Sequence, residues 1–354
     1  MPHTLTTLFK LAPLACACLL VALCPPARAQ AGPGASRVDL RQLDDLLWKG
    51  HAALERRDDK GALEIFRDAV TRFPDATDAW YGLGVALRRG GGLDESISAF
   101  ARALKLRGAS ATVSADLAYA LMLAGRRDEA KKESGRAFPD AAKGDDPHYL
   151  AALLELNHAY PDAGAPQRAL EEAEASLASD ADFAPSHLLK SQALVRLSAS
   201  LPLPEERAAA GRRMEEAAQS LEKFLALSRG AADYAFWQQQ LSALRAQGEA
   251  LRAPDAARAV FFFKEITTRA AVTNKREPLY TEEARHTQTF GSVRVQMILS
   301  ADGSVQHPLA INCLPNGLTE SAVEAARTIQ FTPATKDGRT VSQFVTVVYN
   351  FNVF

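Results

Sequence analysis

Cysteine is scarce and badly placed for cross-linking. Three of the four, Cys16, Cys18 and Cys24, crowd into the first 24 residues, and Cys313 stands alone in the remainder. With one distant thiol outside the N-terminus, neither a disulfide framework nor a thiolate metal site can be built there. Cys313 reads as a small buried hydrophobe in a strand. Long apolar runs are missing as well. The stretch Leu11 to Cys24 is apolar for fourteen residues and is interrupted by Pro13. As a helix it rises about 21 Å, short of the roughly 30 Å of a bilayer core. Concentrated charge is also absent: 41 basic residues stand against 42 acidic ones, with no basic block, which argues against nucleic acid as a partner. Finally, no catalytic constellation is present. His51, His148, His158, His187, His286 and His307 are scattered. No pair has H-E-x-x-H spacing, and neither a G-x-S-x-G elbow nor a Walker loop occurs. The expectation is a non-enzymatic chain with no catalytic residues, metal site or cofactor.

What is present suits two domains: 354 residues, 47% hydrophobic and 23% charged, the balance of a protein with a substantial core. Lys10, the apolar run, Pro25 and Pro26, then Ala27-Arg28-Ala29 before Gln30 have the layout of a secretory signal with an A-x-A cleavage site. Leu23 stands before Cys24 where a lipidated cysteine needs a small residue. The expected divisions are a signal peptide at 1–29, a linker at 30–39, helical repeats at 40–250 and a C-terminal module at 258–354. Cleavage removes Lys10 and Arg28 and no acid, leaving a net charge of about −3.

Residues 43 to 144 repeat with a period of 34. Gly50 falls over Gly84 and Ala118, Ala62 over Ser96 and Ala130, Phe66 over Phe100, and Ala69 over Ala103 and Ala137. Small residues belong where the two helices of a hairpin cross closely, and Phe66 or Phe100 fills the gap between successive hairpins. Pro74 ends the first copy, Gly90-Gly91-Gly92 makes a turn, and Ser134 replaces the aromatic in the third copy. Beyond 145 the frame loosens, but apolar residues keep helical spacing, with loops at Pro161 to Pro166 and Pro202 to Pro204. About six hairpins would fill 40–250. With Trp80, Leu83 and Gly84 standing as W-x2-L-G, the signature resembles the tetratricopeptide repeat. That resemblance implies a right-handed solenoid whose concave groove holds an extended or helical protein partner. It puts the groove positions at Leu47, His51, Tyr81, Val85, Arg88, Ala115, Tyr119 and Met122.

From about residue 255 the alanine-rich pattern gives way to alternation. Val293, Val295, Met297 and Leu299 share one strand face, with Ser292, Arg294 and Gln296 on the other. Ala301-Asp302-Gly303 turns the chain, and Ser304 to Leu314 returns antiparallel as an edge strand, because Pro308 lacks the ladder donor. Thr319 is placed to cap a helix with Leu318, Ala322, Ala325, Ala326 and Ile329 on its apolar face, and Phe331-Thr332-Pro333-Ala334 stops it. A final strand, Gln343 to Phe354, carries Val345, Val347, Tyr349, Phe351 and Val353 on one face. The fold class is an all-α helical-hairpin solenoid followed by a small α+β module with an antiparallel sheet.

The C-terminal wording resembles the TonB C-terminal domain family. Pro278, Tyr280, Ala284 and Arg285 carry the match, followed by Asp302-Gly303, Gly317-Leu318-Thr319, Ala325-Ala326-Arg327, Phe331-Thr332-Pro333-Ala334 and Asp337-Gly338. The resemblance implies recognition of a short extended segment, the TonB box of an outer-membrane receptor, added as a strand beside the last strand. The contact residues are then Phe344, Val345, Thr346, Val347, Val348 and Tyr349, with Pro278 and Tyr280 of the preceding motif. Glu277 stands where the family often has Gln. The expected protein is a periplasmic adaptor that joins one partner on the solenoid to another on the sheet edge. Two alternatives are an inner-membrane-anchored energy transducer and a repeat scaffold for envelope assembly.

Overall fold

The computed structural model describes residues 37–108, 110–138, 146–158, 160–199, 206–231, 233–254 and 258–352. The expected signal peptide, most of the linker, the Pro202 to Pro204 loop and Val353 lie outside the described residues. Among the described residues, eleven helices come first: α1 (Arg37–Glu55), α2 (Asp59–Arg72), α3 (Thr77–Arg89), α4 (Leu93–Arg107), α5 (Ala111–Leu123), α6 (Arg127–Ala137), α7 (Pro147–Asn157), α8 (Ala165–Ser179), α9 (Ala184–Ala199), α10 (Arg207–Leu227) and α11 (Tyr234–Arg252). They form five hairpins and an eleventh helix packed on α10, rather than six hairpins, because the chain turns to strand after Arg252. The first helices stack in a row, α1 on α3, α3 on α5, α5 on α7 and α7 on α9.

The residues that mark the repeat explain this stacking. A Cβ on Gly50 would lie 2.5 Å from the Phe66 ring, one on Gly82 2.2 Å from the same ring, and one on Gly84 2.6 Å from Phe100. Phe66 and Phe100 are fully buried, so each ring occupies a slot that only glycine leaves open. Ser134 is also buried, its hydroxyl donating to the Lys131 carbonyl at 2.8 Å, so the third copy closes on a smaller side chain.

The C-terminal module contains β1 (Val260–Phe261), β2 (Ala271–Asn274), α12 (Glu282–His286), β3 (Gly291–Leu299), β4 (Val305–Ala310), α13 (Leu318–Arg327), β5 (Gln330–Thr332), β6 (Ala334–Lys336) and β7 (Arg339–Phe351). The expected strand, strand, helix, strand order survives as β3, β4, α13, β7, with four short strands added. The main sheet runs β1-β7-β3-β4, β6 forms a hairpin onto the start of β7, and β2 pairs with β5 apart from it. Pro308 lies in β4 at the sheet edge, as its missing donor requires. The cap of α13 differs from expectation. Gly317 takes the N-cap position in a left-handed conformation, φ 77°, while the Thr319 hydroxyl bridges the backbone N–H and carbonyl of Leu314 at 2.8 Å each.

Both sheet faces are covered. Val293, Val295, Met297, Leu299, Tyr349 and Phe351 pack with Leu318, Ala322 and Ala326 of α13. Ile298, Leu309, Ile311, Phe344 and Phe262 pack instead with Leu194, Met214, Leu221, Leu244 and Leu251 of α9, α10 and α11. The polar face expected for β3 is therefore a solvent face only in part: Arg294 is exposed, but Gln296 is buried under the solenoid. Among the described residues, no helix is long and apolar enough to cross a membrane.

Candidate protein-binding surfaces

The two ends of the main sheet are finished differently. At β4, helix α11 supplies the missing hydrogen-bond partners. Gln240 accepts from the Ala310 N–H at 2.8 Å and donates to the Pro308 carbonyl at 3.4 Å. Gln247 donates to the carbonyls of His307 at 2.7 Å and Gln296 at 3.2 Å, where the β3–β4 register shifts. Both glutamines are buried, so this edge is sealed.

At β7 the sealing stops part-way. Its inner side pairs with β3 from Gln343 to Phe351. On the outer side, β6 pairs with Arg339 to Val341, and β1 runs parallel beside Ser342 and Gln343. The sequence reading expected a bare edge over the whole strand. The short strands β1 and β6 close its first part, and from Phe344 onward no described strand pairs with it. The direction of the backbone groups follows from two contacts. Arg294, opposite Val348, donates its N–H to Asn312 Oδ1 and its carbonyl accepts from the Ile311 N–H, both away from β7, and the Val348 carbonyl accepts from Lys275 Nζ at 2.8 Å. Val348 therefore points outward, and by alternation so do Phe344, Thr346 and Asn350. Among side chains, Thr346 and Val348 are exposed, Val348 at 43%, whereas Phe344 and Tyr349 are buried and Val345 and Val347 face α13. The Lys275 ammonium also sits 4.5 Å above the Tyr349 ring. Burial, with a smaller contribution from Glu277, pushes the Tyr349 phenol well above its ordinary range.

Pro278 and Tyr280 form the shoulder of this edge. The Tyr280 hydroxyl donates to the Thr289 carbonyl, and its ring lies 6.1 Å from Phe351. Pro278 is half-buried, and the neighbouring Leu279 is 81% exposed.

The solenoid positions have a different fate. Leu47, Tyr81, Val85, Arg88, Ala115 and Tyr119 are buried, and His51 and Met122 are half-buried. The structure links many of them into one polar chain. Tyr81 donates to Asp116 at 3.0 Å, Arg88 pairs with Asp116 at 3.3 Å and lies 5.0 Å over the Tyr119 ring, and Tyr119 stacks on His158 at 4.0 Å. Glu155 continues it to Arg168 through two 2.9 Å bonds. Burial and the Asp116 charge raise the Tyr81 phenol far above its usual value, and burial with Glu155 lifts Tyr119 to about 12. Two further residues cover this face, and the sequence reading missed both. Tyr160, from the α7–α8 loop, bonds His51 Nδ1 at 2.8 Å, and Phe290, just before β3, meets the Tyr81 ring edge-on at 5.1 Å. An aromatic at a φ of 52°, Tyr160, is the signal that local sequence could not display.

Residues 49–111 match the family model described as tetratricopeptide repeat, and residues 276–353 match that of the Gram-negative bacterial TonB protein C-terminal. Both modules are present in this chain. The tetratricopeptide and TonB modules are protein-interaction folds, and the TonB family is one of the Gram-negative envelope. No curated protein matches the chain. Among solved structures, the chain is similar to pilF of Pseudomonas aeruginosa at 19% identity and TM-score 0.30, over 58% of this chain and 92% of that one. It is similar to PilW, a type IV pilus biogenesis factor, at 19% identity and TM-score 0.29, over 60% and 90%. It is also similar to MamA of Desulfovibrio magneticus RS-1 at 16% identity and TM-score 0.30, over 54% and 97%.

Proposed function

We propose that this protein is a non-enzymatic periplasmic adaptor that binds an extended partner segment by strand addition to the outer edge of β7. The contact segment is Phe344 to Tyr349, with Pro278 and Tyr280 as its shoulder. The solenoid takes a second protein partner, so the two are held at raised local concentration. The observation that carries the reading is the contrast between the two sheet edges. Two buried glutamines finish β4, while the outward groups of Thr346 and Asn350 lie beyond the last residue that β1 reaches. An edge of that kind offers sequence-tolerant main-chain bonds, and exposed Val348 adds an apolar contact. The TonB family match supports an outer-membrane transport protein as the owner of that segment.

A photo-crosslinking amino acid in place of Val348, in cells, tests this directly. The expected result is a crosslink to an extended segment of an envelope protein that disappears when Thr346→Pro is added. Proline there removes an outward donor and leaves the β3 ladder intact. A crosslink unaffected by Thr346→Pro, or the same product from a probe at exposed Glu171 on α8, contradicts the proposal.

A further inference from the structure

We infer that Lys275 is a gate on the free edge of β7 and that the extended segment it admits is acidic. This deepens the strand-addition reading and rests on it. The Lys275 ammonium, just after β2, donates to the Val348 carbonyl at 2.8 Å and lies 4.5 Å over the Tyr349 ring. It thus occupies an outward acceptor that an added strand would fill with its own N–H, and an incoming strand has to displace it. Three more cations rim the point where the free edge begins. Lys336 lies 4.3 Å over the Phe261 ring, and Lys264 and Arg269 lie 5.8 and 4.7 Å over that of Phe263. Phe261 pairs with Gln343, and the Ala270 N–H donates to the Gln343 side chain at 2.8 Å, which sets this group beside Phe344, the first free residue.

The charge of these four residues is not neutralised within the chain. Among the described residues none of them makes an ion pair: Glu265 is taken by Arg207 and Arg258, and exposed Glu277 and Asp337 pair with none of the four. On the solenoid, by contrast, Arg126, Arg136, Arg168 and Lys190 each face an acid within 3 Å. The positive edge is therefore local, in a chain whose net charge is −1. A lysine on a sheet edge blunts it against indiscriminate pairing. A neutral strand must break the ammonium–carbonyl bond and leaves the ammonium only water, whereas a carboxylate on the strand takes it up in a charge-assisted bond. One residue thus hinders neutral or basic segments and favours acidic ones.

The test measures anisotropy of two labelled peptides with the full chain: Thr-Asp-Val-Thr-Val-Asp-Val-Thr, and the same peptide with Asn for each Asp. Wild type is expected to bind the acidic peptide about tenfold more tightly than the neutral one. Lys275→Met frees the Val348 carbonyl and removes the charge, so the neutral peptide is expected to gain affinity over wild type and the preference for acid to collapse. Lys275→Arg, which keeps the cation, is expected to retain the preference. Equal affinity of wild type for the two peptides, a preference unchanged in Lys275→Met, a preference lost in Lys275→Arg, or no binding of the acidic peptide overturns the inference. Thr346→Pro separates it from the reading beneath it. Binding that Thr346→Pro weakens but that shows no preference for acid sinks the gate and leaves strand addition standing, whereas binding that Thr346→Pro does not weaken overturns both.

Discussion

Gly82 is the residue on which the repeat packing turns. A methyl group there would meet the Phe66 ring at 2.2 Å, and the ring is fully enclosed, so neither side can yield cheaply. Gly82→Ala is expected to cost about 1–3 kcal/mol. A double-mutant cycle with Phe66→Leu should return part of that loss in a urea titration. His51 shows how burial becomes a pH effect. Burial holds its imidazole below the ordinary value, with Asp78 opposing weakly, and Nδ1 is engaged by Tyr160. The folded state therefore favours the neutral ring. Its contribution is complete above the unfolded value of about 6.5 and is lost as pH falls through the lower folded one. Thermal melts should show the wild type losing more stability than His51→Gln between about pH 6.5 and pH 5. The glycines and phenylalanines were legible in the sequence because their spacing is periodic. The partner of His51 was not, since Tyr160 reaches it from 109 positions away.

At the scale of elements, the informative feature is a helix that completes a sheet. On α11 the buried positions Gln240, Ala243, Leu244, Gln247 and Leu251 recur at helical spacing, with two amides set into an otherwise apolar stripe. Polar residues at such positions signal a partner with unsatisfied backbone, and here that partner is β4. Gln240→Leu would leave the Ala310 N–H buried without its acceptor, an expected loss of about 1–3 kcal/mol. The check is a lower urea midpoint at unchanged slope. The major elements, α1 to α6, β3, β4, α13 and β7, follow from periodicity in the sequence. The strands β1, β2, β5 and β6 do not, being two to four residues long and too short to alternate. Yet β1 and β6 determine where the free edge of β7 begins.

For the whole molecule, the sequence divides into repeats at 40–250 and a separate module at 258–354, whereas the structure gives the two a shared core. Phe262, Ile298, Leu309 and Phe344 lie in one apolar cluster with Met214, Leu221 and Leu244. Beside it, Arg207 of α10 pairs with Glu265 at 2.8 Å, donates to the Val260 carbonyl at 2.9 Å and lies 4.8 Å over the Phe262 ring. Arg258 completes the ion triad at 2.7 Å. Contacts between residues this distant leave no periodic trace, so the junction was invisible in the sequence. Such a junction couples the unfolding of the last hairpin to that of the sheet. Calorimetry should give one transition for α9 to β7, and Glu265→Ala should lower its stability by about 3–5 kcal/mol by removing the acid that pairs with buried Arg207.

The central claim is that the outward backbone of β7 accepts a foreign strand, and amide exchange along that strand tests it most directly. In the free protein the N–H groups of Thr346 and Val348 should exchange quickly, and those of Val345 and Val347, turned toward β3, slowly. With the crosslink-identified segment bound, protection should appear at Thr346 and Val348 and change little at Val345 and Val347. A segment that binds while the Thr346 and Val348 amides exchange as fast as before would contradict the account.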